Sequence, residues 1–169
     1  MERDNSLTDR EIKQLMTDPN GNPLKKFAGV FTTEELNSVE PENKVYIILI
    51  HPKKEDVGHW VLVSAINPTT VLYFDPFGIS PPESALQFMR RFRYRNRKRL
   101  MYYNTSQIQD EDSTNCGWYC CYMARMFIRK HKFLDLIENF DEGFRAWKND
   151  ILMDKMRKAG RIAGGGFDW

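Results

Sequence analysis

The segment Cys116–Ile128, Cys-Gly-Trp-Tyr-Cys-Cys-Tyr-Met-Ala-Arg-Met-Phe-Ile, is apolar almost all round. A helix without a polar face is stable only when other structure surrounds it. Directly before it stands Asp112-Ser113-Thr114-Asn115, a cluster of helix N-cap formers, so the helix is expected to begin at Cys116. The rest of the chain must therefore wrap this helix. Val45–Ile50 is a continuous β-branched run, the pattern of a strand covered on both faces. Residues 59–66 and 70–75 predict two more strands, separated by the turn dipeptide Asn67-Pro68, and residues 100–103 a further one. Helices are expected at residues 6–16, at 83–93 after Pro81-Pro82, and at 133–140 and 142–157. Helix, strands, then helices around a buried one is an α+β order.

The chain has 169 residues, enough for one domain. We expect it at residues 1–158, followed by a flexible tail at 159–169 that carries Gly164-Gly165-Gly166. The longest apolar run falls far short of the roughly 20 residues that a membrane span needs. The amino terminus is charged where a signal peptide would be apolar. These features predict a protein of a reducing intracellular compartment with no membrane partner. The three cysteines, Cys116, Cys120 and Cys121, agree, because so tight a cluster cannot staple distant segments.

Charge is unevenly placed. The first 80 residues carry 8 basic and 12 acidic side chains, the remainder 17 and 11. Much of the basic excess is Arg90, Arg91, Arg93, Arg95, Arg97, Lys98 and Arg99, interleaved with Phe92 and Tyr94. Such a segment can contact phosphates and stack on bases, which predicts an anionic partner; the plainer alternative is a solvated helix face.

The same chain holds the parts of a thiol nucleophile site. Cys116 sits where a helix begins, and the free N–H groups there favour a thiolate. A nucleophilic cysteine needs a base, an orienter for that base, and donors for an oxyanion. His59 opens one predicted strand and Asp75 closes the next, so a hairpin would make them neighbours at one sheet edge. Gln107 and Gln109 precede Cys116 and either could offer an amide, with the Cys116 N–H as second donor. The plain reading of each residue is a buried core thiol, a packed histidine and a turn-forming aspartate.

In order and spacing, Gly58-His59-Trp60, Tyr73-Phe74-Asp75-Pro76-Phe77-Gly78, Gln109 seven before the cysteine, and Cys116-Gly117-Trp118-Tyr119-Cys120-Cys121 resemble the adenovirus endopeptidase (adenain) family. Relatives of that type occur in virophages, polinton-type elements and other DNA viruses. The resemblance spans roughly residues 24–130. It implies a central mixed sheet flanked by helices, with Cys116 as nucleophile on the buried helix, His59 as general base, Asp75 as its orienter and Gln109 as oxyanion donor. Adenain itself has Glu where Asp75 stands, whereas many relatives, the ubiquitin-like-protein proteases among them, have Asp. The order His, Asp, Cys is the family's and the reverse of papain-like enzymes.

The resemblance further implies a maturation endopeptidase that cuts viral precursor polypeptides at Gly-Gly-X or Gly-X-Gly sites. The chemistry would need no metal or other cofactor, with activation by DNA, through residues 90–99, and by a viral peptide. No cysteine lies outside the cluster to tether such a peptide. Ile162-Ala163-Gly164-Gly165 matches the cleavage pattern, which makes the Gly165–Gly166 bond a candidate self-cleavage site. If viral, the protein would act in the virion and the host cytoplasm or nucleus. Two other readings compete: a hydrolase of ubiquitin-like modifiers, and an inactive nucleic-acid-binding relative.

Overall fold

The three central strands, Val45–Ile50, His59–Ser64 and Thr70–Phe74, bury side chains on both faces, and that decides the architecture. The computed structural model describes residues 6–50 and 58–162. Among these, the strands are β1 (Phe27–Thr32), β2 (Val45–Ile50), β3 (His59–Ser64), β4 (Thr70–Phe74) and β5 (Leu100–Tyr103). The helices are α1 (Asp9–Leu15), α2 (Glu83–Arg95), α3 (Cys116–Ile128), α4 (Phe133–Glu138) and α5 (Trp147–Ile162). The strands lie side by side in chain order, with β1–β2 and β4–β5 parallel and the two central pairings antiparallel. The sheet is therefore mixed.

Successive strand residues point to opposite faces. Val45, Ile47, Trp60, Leu62, Leu72 and Phe74 enter the core around α3, whereas Tyr46, Ile48, Val61, Val63, Val71 and Tyr73 pack against α2. Both faces are covered, so the runs read as unbroken apolar sequence rather than as alternation. α3 buries every residue but Tyr122 and Ile128 and lies against β3 and β2. Complete burial of a side chain of Phe or Met size contributes about 1.5–3 kcal/mol. Met123, Phe127 and their neighbours thereby make α3 the keel of the molecule.

Several elements depart from expectation. β1 precedes the run expected to be the first strand; it is half-buried throughout, irregular between Phe27 and Gly29, and shows no period of two. The helix expected at 142–157 is divided. Gly143, at φ +61°, cannot continue a helix, so a short 3-10 turn at Gly143–Arg145 precedes α5. α5 then runs to Ile162, four residues past the expected domain boundary; residues 163–169, with the candidate cleavage site Gly165–Gly166, lie outside the described residues. β3 stops at Ser64 and β4 at Phe74, so the strands are slightly shorter than predicted.

Candidate active site

The central hairpin brings the imidazole and the carboxylate together. Antiparallel pairing of β3 and β4 sets Leu62 opposite Phe74, which leaves the start of one strand beside the end of the other. His59 Nε2 lies 2.8 Å from Asp75 Oδ1. The same carboxylate oxygen accepts the Phe77 N–H at 2.8 Å, a local turn bond that fixes the acid's rotamer. Asn104, just beyond β5, clamps the Asp75 backbone from both sides: its Oδ1 accepts the Asp75 N–H at 3.0 Å, and its Nδ2 donates to the Asp75 carbonyl at 2.7 Å. The Phe77 ring covers the imidazole at 5.0 Å between centroids.

Two opposing effects act on His59. Burial disfavours its charged form, but the Asp75 hydrogen bond, the Cys116 side chain and the negative charge of both outweigh it and push the imidazole up to about 9. With Nε2 committed to Asp75, Nδ1 is the ring nitrogen left for the thiol.

Cys116 is the first residue of α3, so its own N–H has no acceptor within the helix. The Trp60 N–H points at Sγ from 3.5 Å. The Trp60 indole is held by its Nε1 donating to the Leu7 carbonyl at 2.8 Å, which ties the segment before α1 against the site. Gly117 lets these parts meet, because a Cβ there would stand 3.1 Å from Leu7 and 3.2 Å from Trp60. The thiol opens onto a cleft of about 520 Å³ whose walls include Leu7, Val30, Phe31, Leu49 and Trp60.

Gln109 is fully buried close to this centre in sequence, and its amide is engaged. Nε2 donates to the Ser113 carbonyl at 2.8 Å and approaches Ser113 Oγ at 3.2 Å, while Oε1 has no partner. Gln107 is committed elsewhere, donating to the Gln109 carbonyl at 3.1 Å. The turn after Asp75 seats this segment. The Pro76 carbonyl accepts the N–H groups of Ile108 and Gln109 at 2.8 Å each. Gly78, at φ +72°, passes so close that a Cβ would stand 2.7 Å from the carbonyl oxygens of Thr105 and Ser106.

Sequence reasoning missed Asn104, Ser113 as a partner for Gln109, and Asp150. Asn115 does occupy the N-cap of α3, but its side chain does not cap the helix; it donates to Asp150 at 3.0 Å and Asp154 at 3.2 Å. Burial raises the Asp150 carboxyl above the ordinary range, and its bonds from Ser113, Asp110 and Asn115 pull it back. Nothing in a polar residue's spelling shows which distant loop it will reach.

The basic segment is divided by the fold. Arg91 donates to the carbonyls of Leu36, Asn37 and Val39; Arg95 pairs with Glu40 and Arg90 with Glu83. Lys98 is buried, its Nζ donating to the Asn67 carbonyl at 2.6 Å. Among the described residues no side-chain partner engages the guanidinium groups of Arg93, Arg97 and Arg99, which are exposed beside Tyr94. All three cysteines are free and buried. Among the described residues no cluster could hold a metal ion, and no helix is long and apolar enough to cross a membrane.

No family model and no curated protein matches the sequence. Solved structures do match the fold. The ASFV pS273R protease superposes with a TM-score of 0.60 at 17% identity, over 86% of this chain and 66% of that one. This chain thus spans just under two thirds of that protease's length. The central domain of the Lpg1148 protein from Legionella pneumophila gives 0.50 at 16% identity, over 95% and 98% of the two chains. The Chlamydia trachomatis effector Cdu1, solved bound to ubiquitin, gives 0.51 at 16% identity, over 90% and 76%. The fold is one that viral and bacterial proteins share, a protease among them.

Proposed function

We propose that this chain is a cysteine peptidase, with Cys116 as nucleophile, His59 as its acid–base partner and Asp75 as the orienter. The observation that carries this reading is the 2.8 Å His59–Asp75 bond, set beside a cysteine that opens a buried helix. In the first half of the reaction the Cys116 thiolate attacks the substrate carbonyl carbon. The oxyanion accepts the Cys116 N–H, and the His59 imidazolium gives its proton to the departing amine as the C–N bond breaks. Water then attacks the thioester, surrendering a proton to His59. Release of the acid regenerates the thiolate and imidazolium.

For substrate, we propose a segment with small residues at the scissile bond. Two classes present it: a viral-type precursor with a Gly-Gly-X site, and a ubiquitin-like modifier with its Gly-Gly end. The adenain-type motifs favour the first. The fold shared with Cdu1, solved bound to ubiquitin, favours the second. An Ile-Ala-Gly-Gly-X peptide and a ubiquitin C-terminal amide separate them. We expect wild type to cleave at least one, and Cys116→Ala neither. Cleavage of either by Cys116→Ala at the wild-type rate would refute the assignment.

A further inference from the structure

One carboxylate holds the whole segment between the candidate oxyanion donor and the nucleophile. Asp150, in the first turn of α5, is 8% exposed. Its Oδ2 accepts the Asp110 N–H at 2.7 Å, next to Gln109. Its Oδ1 accepts the Ser113 hydroxyl at 2.5 Å and the Asn115 amide at 3.0 Å, next to Cys116. Ser113 carries that hold inward. With its proton directed at Asp150, Oγ is left as an acceptor, taking the Asn115 N–H at 3.1 Å and facing Gln109 Nε2 at 3.2 Å. The neighbouring Asn149 fastens the same segment, donating to the Ile108 carbonyl at 2.9 Å. On the other side Pro76 holds Ile108 and Gln109. Gln109 thus lies between the turn that follows the catalytic acid and the first turn of the carboxy-terminal helix.

We propose that Asp150 is a positioning residue for oxyanion stabilisation, acting through Ser113 on the Gln109 amide; this rests on the peptidase reading above. Gln109 Nε2 has two acceptors, the carbonyl and the hydroxyl oxygen of Ser113. The weaker contact, to Oγ, is the one to be exchanged when an oxyanion forms, while the 2.8 Å bond to the Ser113 carbonyl keeps the amide in place. Without Asp150 the hydroxyl is free to turn, the segment loses three anchors at once, and the amide is no longer aimed. Preorganised donors matter because they are already oriented when charge develops, and loss of one costs about 10²–10³ in kcat.

This role separates from a merely structural one by chemistry. Hydrolysis passes through an oxyanion, whereas alkylation of Cys116 by iodoacetamide, a displacement at an sp³ carbon, does not. We therefore expect Asp150→Ala to lower kcat on a Gly-Gly-aminocoumarin peptide at least tenfold, with KM within about threefold and the alkylation rate within about twofold of wild type. Asp150→Asn, which retains the size and one acceptor, should fall between the two. Should Asp150→Ala fail to fold, Asp150→Asn and Ser113→Ala carry the same comparison. Unchanged kcat in these variants, or a parallel loss of hydrolysis and alkylation, would overturn the proposal. A wild-type protein whose Cys116 alkylates but which hydrolyses neither peptide nor modifier amide would remove the peptidase reading, and this inference with it.

Discussion

His59 carries the site's pH behaviour because the forces on it oppose one another. Burial alone would lower its pKa below the usual 6.5, yet the Asp75 bond and the nearby Cys116 bring it to about 9. Since the folded value is raised, protonated His59 adds to stability fully below about 6.5, and that contribution is lost as pH rises through about 9. In the proposed mechanism the same proton is delivered to the leaving amine, so the alkaline limb of kcat/KM should fall near 9. Asp75→Asn removes the largest of the raising effects and leaves the burial penalty. The limb should then move down by at least one pH unit, with kcat/KM at its best pH reduced about a hundredfold or more. A pH–rate profile of the two proteins checks this, and an unmoved limb would mean that His59 does not titrate in it. The residues of this centre were legible because each is a reactive type at an element boundary. Asn104 and Asp150 were not, since their partners lie 29 and 35–40 residues away in sequence.

At the scale of elements, local pattern foretold most of the core and little of its periphery. β2, β3, β4 and α3 are defined by burial on every side, and such burial is written as uninterrupted apolar sequence. β1 is an edge strand with one neighbour and half-buried residues, so it carries no comparable signature. The charged segment of α2 shows the converse. Seven basic residues in sequence suggest one polyanion site, but Lys98, beyond the helix, is buried, and Arg91 and Arg95 find acceptors on the 3-10 turn at Glu35–Ser38 and the residues after it. We propose that any nucleic-acid contact falls on Arg93, Arg97 and Arg99. Their triple substitution by Ala should weaken single-stranded DNA binding and flatten its salt dependence without altering thermal stability. Arg91→Ala should instead lower the unfolding free energy by about 1–2 kcal/mol, since it removes the charged donor shared by the part-buried carbonyls of Leu36 and Val39. Gel-shift titration at two salt concentrations, with a thermal melt of each variant, tells the roles apart.

For the molecule as a whole, the sheet is a frame that brings three separate parts of the chain to one end of α3. The hairpin supplies His59 and Asp75, the helix start supplies Cys116, and the carboxy-terminal α5 braces the segment between Gln109 and the thiol. The amino-terminal segment closes the arrangement through the bond from Trp60 to Leu7. Fold class and the order of the central elements followed from hydrophobic pattern, whereas the brace by α5 depends on tertiary approach that no local signal encodes. Cys120 and Cys121 lie fully inside the core, and burial raises both thiols. Only Cys116 opens onto the cleft. The most direct measurement is therefore intact-mass analysis after brief exposure of the native protein to a Gly-Gly peptide ending in a vinyl sulfone. The account predicts one adduct, located on Cys116, absent from Cys116→Ala and formed at least a hundredfold more slowly by His59→Ala. Labelling that survives Cys116→Ala, or that proceeds at the same rate without His59, would contradict it.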